Sequence, residues 1–378
     1  MKLDNYPVVI VGAGFYGLTI AEHVTRELGL RVAVLENRSH IGGNAYSYTD
    51  DSTGIEVHAY GSHIFHTSRE DVWTYVNRFA QFNSYRHSVW AKHKEKTYSL
   101  PINLITLEQF YGRPFSPREA DNFFSQFSSD SAPSNLEDKA IGSIGKDLYE
   151  AFIRGYTTKQ WGVDPKSLPP ETITRLPIRN NYNNRYFNDT FEGIPVSGYG
   201  KLFENMVENS LIDIFLNVDY FEHSSRLSSS QIIIYTGAID RFFDFKFGDL
   251  GWRTLDLELE RLNIKDFQGA AVINYPDLTE KFTRIHEFKH FTPDKDGNLD
   301  QTIIMREYSR SAGRTDEPYY PINTQEDRQK LKLYRNAQDN LKNVYCGGRL
   351  GSYKYLDMHM AIASAITFYE STLKQRFV

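Results

Sequence analysis

The sequence predicts an α/β fold that combines a parallel sheet, a mainly helical region and an antiparallel sheet. The first observation is a short apolar run at residues 7–11, which is typical of a buried parallel strand. A glycine turn at residues 12–17 follows it, and the helical pattern of residues 15–28 ends at Gly29. A second apolar strand is expected at residues 31–36, so that the chain opens with a βαβ unit.

Length, charge and cysteine content exclude several classes of protein. A chain of 378 residues is expected to form two or three domains. Its net charge of −5 gives no general attraction for nucleic acid. The single cysteine, Cys346, rules out an intramolecular disulfide, a CxxC redox pair and a thiolate zinc site. No signal-peptide pattern opens the sequence and no apolar run reaches ~20 residues, so we expect a cytoplasmic protein without a membrane span.

The glycine turn has the pattern of a dinucleotide-binding site. Residues 12–17 read Gly-Ala-Gly-Phe-Tyr-Gly and match GxGxxG. Gly12 permits the tight turn, Gly14 lets the backbone approach a pyrophosphate, and Gly17 allows close helix–strand packing. The helix N-terminus offers free N–H groups to phosphates, and Glu36 at the end of the second strand can accept hydrogen bonds from a ribose. The alternative, a glycine turn that binds no ligand, is disfavoured by this strand–turn–helix context.

Two further segments favour FAD over a nicotinamide dinucleotide. Arg38 and the Ile-Gly-Gly-Asn-Ala stretch of residues 41–45 follow the acidic residue directly, and the paired glycines let the backbone approach an extended cofactor. Near the other end of the chain, residues 347–349 read Gly-Gly-Arg and precede a helix that we expect to open within residues 353–360. The N-terminus of that helix would stabilise negative charge on the pyrimidine edge of a flavin. The sequence thus predicts a Rossmann-like FAD-binding domain built from discontinuous segments.

The middle of the chain changes character twice. Helical periods rich in aromatic residues begin at Asp71, and several helices are expected between residues 108 and 161. Residues 162–185 hold four prolines and several asparagines, which is typical of a mobile surface loop. Alternating stretches at residues 271–275 and 283–291 predict antiparallel strands.

These patterns predict a division into domains. A buried strand is also expected at residues 231–235, and a final strand that leads into a C-terminal helix is expected at residues 344–348. The expected divisions are a first FAD-binding segment at 1–80, a mainly helical domain with the mobile substrate loop at 81–185, a mixture of FAD-domain and antiparallel-sheet segments at 186–330, and a last FAD-binding segment at 331–378. The active site is expected in the cleft between these parts.

One stretch matches a metal-binding motif that its context contradicts. Residues 286–290 read His-Glu-Phe-Lys-His and fit the HExxH pattern of zinc metalloproteases, which requires a helix. The flanking residues instead predict extended chain, in which the two histidines would lie ~13 Å apart at ~3.3 Å per residue. His63 and His66 are also close in sequence, but nothing in the sequence supplies further ligands. We therefore predict no metal site.

Several segments together resemble the bacterial type of UDP-galactopyranose mutase. Besides the two glycine-rich turns, the resemblance rests on residues 60–67, 155–162, 175–179, 184–187, 318–321 and 348–358, and it spans nearly the whole chain. It implies interconversion of UDP-galactopyranose and UDP-galactofuranose without net redox change (EC 5.4.99.9), supplying galactofuranose for cell-surface glycans. It also implies that the FAD must be reduced, with its N5 attacking the anomeric carbon and expelling UDP.

The resemblance also implies which residues bind the substrate. Arg175 on the mobile loop and Arg284 in a strand match the family's diphosphate-binding arginines, and bidentate guanidinium contacts suit phosphate oxygens. A solvated surface charge is the alternative for either arginine. The other implied substrate contacts are Phe152, Tyr156, Thr157, Trp161, Tyr186, Asn274, Tyr320 and Tyr355, and core packing is the alternative for the aromatic ones, above all for Phe152. His87 and Ile153 stand where relatives carry Asn and Phe, and their roles stay open.

The fingerprint and the resemblance together give a set of expected flavin contacts. They are Gly12, Gly14, Phe15, Gly17, Glu36, Asn37, Arg38, Gly43, Asn44, Tyr60, Gly61, His63, Ile64, Arg349, Leu356, Asp357 and Met358. The resemblance further implies an electron donor, such as NAD(P)H or a reductase, and a homodimer.

Two other readings of the sequence remain open. A flavin oxidoreductase of the amine-oxidase type shares the dinucleotide fingerprint but needs an apolar cage, against which the paired arginines argue. A nucleotide-sensing Rossmann module would hold FAD structurally, and the arginines and aromatic residues outside the flavin segments argue against it. Binding of UDP would separate a mutase from both.

Overall fold

The computed structural model describes residues 3–128, 131–173 and 177–377. Within these ranges the strands are β1 Val8–Val11, β2 Val32–Leu35, β3 Ser47–Thr49, β4 Glu56–His58, β5 Phe65–Thr67, β6 Val89–His93, β7 Lys96–Leu100, β8 Phe191–Gly193, β9 Ile212–Phe215, β10 Ile232–Tyr235, β11 Trp252–Leu262, β12 Val272–Asn274, β13 Arg284–Glu287, β14 Thr302–Ser311, β15 Tyr320–Pro321 and β16 Val344–Cys346. They form a five-stranded and a seven-stranded sheet with two small ribbons, β3–β4 and β5–β8.

The helices surround these sheets. In the described chain they are α1 Phe15–Leu28, α2 Glu70–Val76, α3 Leu104–Tyr111, α4 Pro117–Ser125, α5 Leu136–Ile144, α6 Lys146–Leu148, α7 Gly155–Trp161, α8 Gly198–Met206, α9 Tyr220–His223, α10 Ile239–Phe242, α11 Pro293–Asp296, α12 Gln325–Asp339, α13 Gly348–Gly351 and α14 Met358–Phe368. Single turns of other helix types lie at Tyr149–Arg154, Pro165–Ser167, Pro170–Ile173 and Phe288–Phe291. None of the described helices is long and apolar enough to cross a membrane.

The five-stranded sheet, called the parallel sheet below, has the order β16-β10-β1-β2-β9 with every pair parallel. Its central strands are continuous apolar runs because helices and loops cover both faces. α1 packs on one face together with α8 and α14. These elements confirm the predicted βαβ unit, the buried strand expected at residues 231–235 and the final strand expected at residues 344–348, which is partly exposed.

Helix α1 begins and ends where the sequence predicts. Its N-cap is Gly14, and Gly29 ends it in the left-handed region at φ 64°. A Cβ atom on Gly17 would lie 2.2 Å from the carbonyl oxygen of Gly12, so no larger residue fits where the helix crosses the turn.

The seven-stranded sheet, called the second sheet below, has the order β15-β11-β14-β13-β12-β6-β7. All its pairs are antiparallel except β12–β6. β12 and β13 confirm the strands expected at residues 271–275 and 283–291, although the second one ends at Glu287 and continues as the 3₁₀ turn Phe288–Phe291. The sheet therefore places Asn274 directly opposite Arg284.

The hairpin β6–β7 corrects the sequence analysis, which expected helical periods from Asp71 onward. Its first strand alternates between buried and partly exposed side chains, a period of two. The two-residue turn is Lys94-Glu95, both in the left-handed region at φ 47° and 64°. Such turns usually carry Asn-Gly or Asp-Gly, so the strongest local signal for a hairpin is missing from the sequence.

The helical region and the C-terminal helix follow the predictions. Helices α3 to α7 bury a common apolar cluster, as expected for residues 108–161. The last helix is expected to open within residues 353–360, and it begins there, at Met358. Tyr353 lies in the left-handed region at φ 50°, which breaks any helix at that point.

Candidate active site

A cavity of about 620 Å³ lies beyond the carboxyl ends of the parallel strands. It is lined by the residues that directly follow β1, β2 and β10, and by the turn after β16. This crevice is where open parallel sheets of α/β proteins bind their ligands, because helix N-termini and strand ends meet there. The volume is in the range of a cofactor site.

Two glycine turns form the floor of the cavity. Gly12 has φ 101°, and a Cβ atom on it would lie 2.1 Å from Oγ1 of Thr236. Gly42 and Gly43 have φ 106° and 57°, and a Cβ atom on Gly43 would lie 3.2 Å from the Cα of Gly14. The two turns therefore meet backbone to backbone, which leaves room for an extended ligand to lie along them.

Polar groups at the edge of the cavity fit a dinucleotide. The carboxylate of Glu36 accepts hydrogen bonds from the backbone N–H groups of Ala13 at 2.7 Å and Arg38 at 2.9 Å. Arg38 donates hydrogen bonds from Nη2 to Asn44 and Glu317. Its guanidinium carbon lies 4.2 Å from the centroid of the Tyr60 ring. Nη1 of Arg38 is buried without a hydrogen-bond partner among the described residues, so it is ready for a ligand oxygen.

Most of the expected flavin contacts line this cavity. They are Gly12, Gly14, Phe15, Gly17, Glu36, Asn37, Arg38, Gly43, Asn44, His63, Arg349, Leu356 and Met358. Tyr60, Gly61, Ile64 and Asp357 lie outside its lining, although Tyr60 packs on Arg38. Burial lowers the pKa of His63 to about 4, so its ring is neutral, and its Nδ1 is 2.7 Å from the carbonyl oxygen of Gly61.

Sequence reasoning missed part of the cavity wall. Residues 218–221 and 312–318 line it, together with Asp240 and Arg241. None of these segments carries a nucleotide-binding motif, and tertiary folding alone brings them to the crevice. The strand-end rule could have found Thr236, which directly follows β10.

Arg284 is the centre of a second, charged group on the second sheet. Its guanidinium donates a hydrogen bond from Nη2 to the Tyr156 hydroxyl, and its Nε lies 3.6 Å from Oε1 of Glu307. Burial opposes ionisation of Glu307, but the Arg284 charge and a hydrogen bond from His286 outweigh it and lower the pKa of Glu307 to about 2. The carboxylate is ionised and the arginine is fixed by partners from α7 and β14.

Tyrosine residues surround this arginine. Tyr186 and Tyr320 lie within electrostatic range of Arg284, and Tyr320 stacks on Tyr355 with ring centroids 5.7 Å apart. Burial raises the pKa of Tyr156 to about 12 and that of Tyr320 well above its usual range, so both hydroxyls keep their protons. Such hydroxyls can donate hydrogen bonds to an anionic ligand.

Helix α7 and the loop between β12 and β13 are tied together by Lys159. Its ammonium group donates to the carbonyl oxygens of Tyr275, Asp277, Glu280 and Phe282 at 2.5 to 3.0 Å. Burial lowers the pKa of Lys159 to about 8. The contact fixes the helix that carries Tyr156, Thr157 and Trp161 against the strands that carry Asn274 and Arg284.

The remaining expected substrate residues differ in position. Phe152 is only 3% exposed and packs against the rings of Tyr98 and Phe110, which is the packing alternative considered for it. Thr157 is buried on α7, whereas Trp161 is partly exposed at the end of that helix. Oδ1 of Asn274 is buried and has no hydrogen-bond partner in the described ranges. Arg175 lies outside the described residues.

The two positions that differ from the family pattern are both buried. His87 contacts Tyr186 through an edge-on ring at 5.4 Å, and its Nδ1 lies 3.0 Å from the Tyr85 hydroxyl. Burial lowers the pKa of His87 to about 3, so the ring is neutral. Ile153 belongs to the apolar cluster of the helical region.

The histidines of the HExxH stretch have separate partners. His286 lies in β13, as predicted, and contacts Ser62 and Glu307. His290 lies in the 3₁₀ turn, 3.3 Å from Asp266 and 3.4 Å from Glu287.

A histidine outside that stretch corrects the sequence analysis. His66, which had no evident further ligands in sequence, comes together with Asp357 and His359, with candidate ligand atoms within 4.8 Å of one another. Its Nδ1 is already 2.8 Å from Asp189. Residues this far apart in sequence give no local signal of such a cluster.

The fold, the glycine turns and the cavity define a dinucleotide-binding protein of the Rossmann type. In agreement, residues 10–79 match the model of the NAD(P)-binding Rossmann-like domain. A solved structure entitled "Crystal structure of reduced UDP-Galactopyranose mutase" has the same fold, with a TM-score of 0.74 at 17% identity, and covers 97% of this chain and 94% of that one.

The chain belongs to the UDP-galactopyranose mutase family. Residues 151–355, which include most of the arginine and tyrosine group, match the family model. A protein named "Probable UDP-galactopyranose mutase" from Klebsiella pneumoniae is 40% identical over 96% of this chain and 94% of its own length. A dTDP-fucopyranose mutase from Escherichia coli is 39% identical over 95% and 96%. Membership of this family and the Rossmann-type domain imply a flavin cofactor.

Proposed function

We propose that the protein interconverts UDP-galactopyranose and UDP-galactofuranose with bound, reduced FAD and without net redox change. The observation that carries the proposal is Arg284, a partly buried cation on β13 that is held between Glu307 and Tyr156. A guanidinium group that its partners hold in place suits a ligand with a diphosphate. An isomerase of this kind fits the family and the relative from Klebsiella pneumoniae.

The cavity supports FAD as the flavin. The paired glycine turns offer backbone to a pyrophosphate, the carboxylate of Glu36 is oriented by two N–H groups, and Arg38 keeps one buried donor for the ligand. Reduced FAD, when bound, supplies a nucleophilic N5 for the anomeric carbon of the sugar. The cavity-lining residues Leu356 and Met358 bring the start of α14 to the same cavity, where the helix N-terminus favours negative charge.

Arg284 would bind the diphosphate and stabilise the charge that develops on UDP as it leaves. A guanidinium group is always charged and offers several fixed donors to phosphate oxygens. The protonated hydroxyls of Tyr156 and Tyr320 can donate to the same oxygens. Arg175 is proposed as the second diphosphate ligand on the basis of the resemblance. Asn274, Tyr186 and Tyr355 are proposed as further substrate contacts beside Arg284, and Oδ1 of Asn274 is the acceptor that a sugar hydroxyl could reach.

The nucleoside is proposed to lie along helix α7. Thr157 and Trp161 are the proposed contacts there, beside Tyr156, and Phe152 supports the helix from its buried side. Lys159 keeps this helix against the strand that carries Arg284, so base and diphosphate are held by one rigid unit.

A second candidate substrate class follows from the close similarity to the dTDP-fucopyranose mutase. The two identities, 40% and 39%, do not separate the two activities. The same arginine and flavin would serve a dTDP-linked deoxy sugar, because the chemistry acts on the anomeric carbon and the diphosphate.

The setting of the reaction is part of the proposal. We propose a cytoplasmic, homodimeric enzyme that receives electrons from NAD(P)H or a reductase and supplies galactofuranose for cell-surface glycans. These statements follow from the resemblance and from the single cysteine, which forms no disulfide within the chain.

The proposal is tested by incubating the dithionite-reduced enzyme with UDP-galactofuranose or dTDP-fucofuranose and separating the products by chromatography. Conversion of the UDP sugar to UDP-galactopyranose at the higher kcat/KM supports the proposal. Preferred conversion of the dTDP sugar would assign the second candidate. No conversion of either sugar, together with no quenching of tryptophan fluorescence by UDP, would contradict both candidate functions. That result would favour a flavin oxidoreductase instead.

A further inference from the structure

His286, the first histidine of the HExxH stretch, has a buried polar side chain with no role in the proposed reaction. β13 pairs with β14 so that Arg284 lies opposite Glu307, and His286 lies opposite Met305. Because side chains alternate between the two faces of a sheet, His286 and Glu307 are diagonal neighbours on one face. The histidine therefore lies beside the carboxylate that holds Arg284.

Both ring nitrogens of His286 have partners. Its Nδ1 lies 2.5 Å from Oγ of Ser62, and its Nε2 lies 3.2 Å from Oε2 of Glu307. Burial lowers the pKa of His286, although Glu307 acts in the opposite direction, so the ring is neutral and carries one proton. An ionised carboxylate only accepts, so the proton is on Nε2 and Nδ1 accepts from the Ser62 hydroxyl.

The hydrogen-bonded groups Ser62, His286 and Glu307 form a series, and its serine end lies at the flavin cavity. Ser62 lies between Gly61, whose carbonyl oxygen is 2.7 Å from Nδ1 of His63, and His63, which lines the cavity. The backbone N–H of His63 donates to Nδ1 of His58 at 3.0 Å. The segment of residues 61–63 is thus fixed by side-chain hydrogen bonds, and the bond from Ser62 links it to the second sheet.

The other end lies at the proposed diphosphate site. Oε1 of Glu307 is 3.6 Å from Nε of Arg284, and Arg284 bonds to Tyr156 on α7. Glu307 also accepts from the hydroxyl of Thr283 at 3.3 Å. A continuous chain of polar groups, of which His286 and Glu307 are buried, therefore joins the flavin cavity to the proposed diphosphate site through one imidazole ring.

We propose that His286 is a positioning residue that couples the diphosphate site to the flavin-contacting segment of residues 61–63. This proposal rests on the proposed function in one respect, the identity of the ligand at the diphosphate site, which is a nucleoside diphosphate sugar. Any movement of Arg284 toward a bound diphosphate changes the balance of charge at Glu307, and the hydrogen bond of His286 passes this change to Ser62. In a buried network of low dielectric such a change is not screened by water.

The direct test is the effect of UDP on the flavin absorption spectrum and midpoint potential of the holoenzyme. The Ser62→Ala variant removes only the flavin end of the hydrogen-bonded series. In this variant we expect UDP to bind with unchanged affinity. We expect the UDP-induced changes in the flavin spectrum and midpoint potential to fall by about half or more. His286→Leu is expected to reduce these changes equally, and the double variant no further. Full UDP-induced changes in Ser62→Ala would overturn the proposal.

A kinetic measurement separates coupling from a merely structural role. Ser62→Ala is expected to lower kcat by about fivefold, the effect of one hydrogen bond, and to leave KM unchanged. The matched control is Ser352→Ala, which removes a hydroxyl bonded at 2.6 Å to the carbonyl oxygen of cavity-lining Gly348 and does not touch Glu307. Equal losses in kcat and in thermal stability for both serine variants would indicate local packing and contradict the coupling.

A measurement without nucleotide keeps this proposal distinct from the proposed function. Arg284→Ala changes the charge at Glu307, and the resulting shift in flavin midpoint potential is compared in the presence and absence of Ser62→Ala. A smaller shift in the Ser62→Ala background supports the coupling even if the wild-type enzyme fails to bind UDP, an outcome that would remove only the proposed function. An identical shift in both backgrounds would overturn the coupling.

Discussion

The flavin cavity and the arginine wall are built in opposite ways. The cavity is formed mainly by backbone at the ends of parallel strands, where Gly12 and Gly43 bring two turns into contact. The wall is formed by side chains from α7, β13 and β14, where the partly buried Arg284 and the buried Glu307 neutralise one another. A site made of backbone depends on the absence of side chains, whereas a site made of charges depends on the presence of each partner.

This difference predicts two separable classes of variant. Changes at the wall should reduce turnover and leave the flavin bound, because no wall residue supports the glycine turns. Changes at the glycine turns should release the flavin and leave nucleotide binding at the wall in place. The following expectations test that separation, starting with the largest effect.

Arg284→Ala is expected to lower kcat by about 10³-fold, on the order of 4 kcal/mol, because it removes the proposed donor to the leaving group and leaves the Glu307 carboxylate without its cationic partner. The flavin content of the purified protein should not change. Steady-state kinetics and the flavin absorbance ratio measure both. Arg310→Ala, whose ion pairs with Asp256 and Asp316 are on the surface, serves as the control and should retain its activity.

The acid stability of the protein should depend on Glu307. Its folded pKa of about 2 lies below its ordinary value of 4.5, so its contribution is complete above pH 4.5 and is lost as the pH falls toward 2. The difference in unfolding free energy between the wild type and Glu307→Gln should shrink by on the order of 3 kcal/mol over this window. Denaturant unfolding at several pH values measures it, and a difference independent of pH would contradict the assignment.

Gly12→Ala is expected to weaken flavin binding by about 100-fold, because the residue has φ 101° and its Cβ would collide with Thr236. Flavin retained after gel filtration is the measurement. Gly29→Ala is the matched control, since Gly29 also has positive φ, at 64°, but has open space around it. Equal flavin loss in both variants would show that backbone strain alone, and not the cavity, is responsible.

Lys159→Met should weaken UDP binding with a smaller effect, about 2 kcal/mol, because four carbonyl oxygens lose their shared donor. Titration of tryptophan fluorescence with UDP measures the affinity. Lys92→Met, at a partly exposed lysine on β6, provides the control. Unchanged UDP affinity in Lys159→Met would mean that α7 holds its position without this contact.

The same comparison explains which features the sequence could predict. Residues 12–17, Glu36 and residues 41–45 are local motifs, and most of these residues line one cavity. The pairing of Asn274 with Arg284 could also be predicted, because alternating polar and apolar residues predict both strands.

Other features depend on contacts that leave no local pattern. The hairpin β6–β7 turns at Lys94-Glu95, a pair without the usual turn chemistry. The bond between Ser62 and His286 requires the final packing of the second sheet. Residues 312–318 likewise reach the cavity only through tertiary folding.

The central claim is that reduced flavin and the arginine wall act together on a nucleotide sugar. The most direct measurement uses one enzyme preparation under anaerobic conditions, oxidised or reduced with dithionite, and follows conversion of UDP-galactofuranose by chromatography. The account predicts UDP-galactopyranose only from the reduced enzyme, with UDP bound in both states. Equal conversion by the verified oxidised enzyme would contradict it.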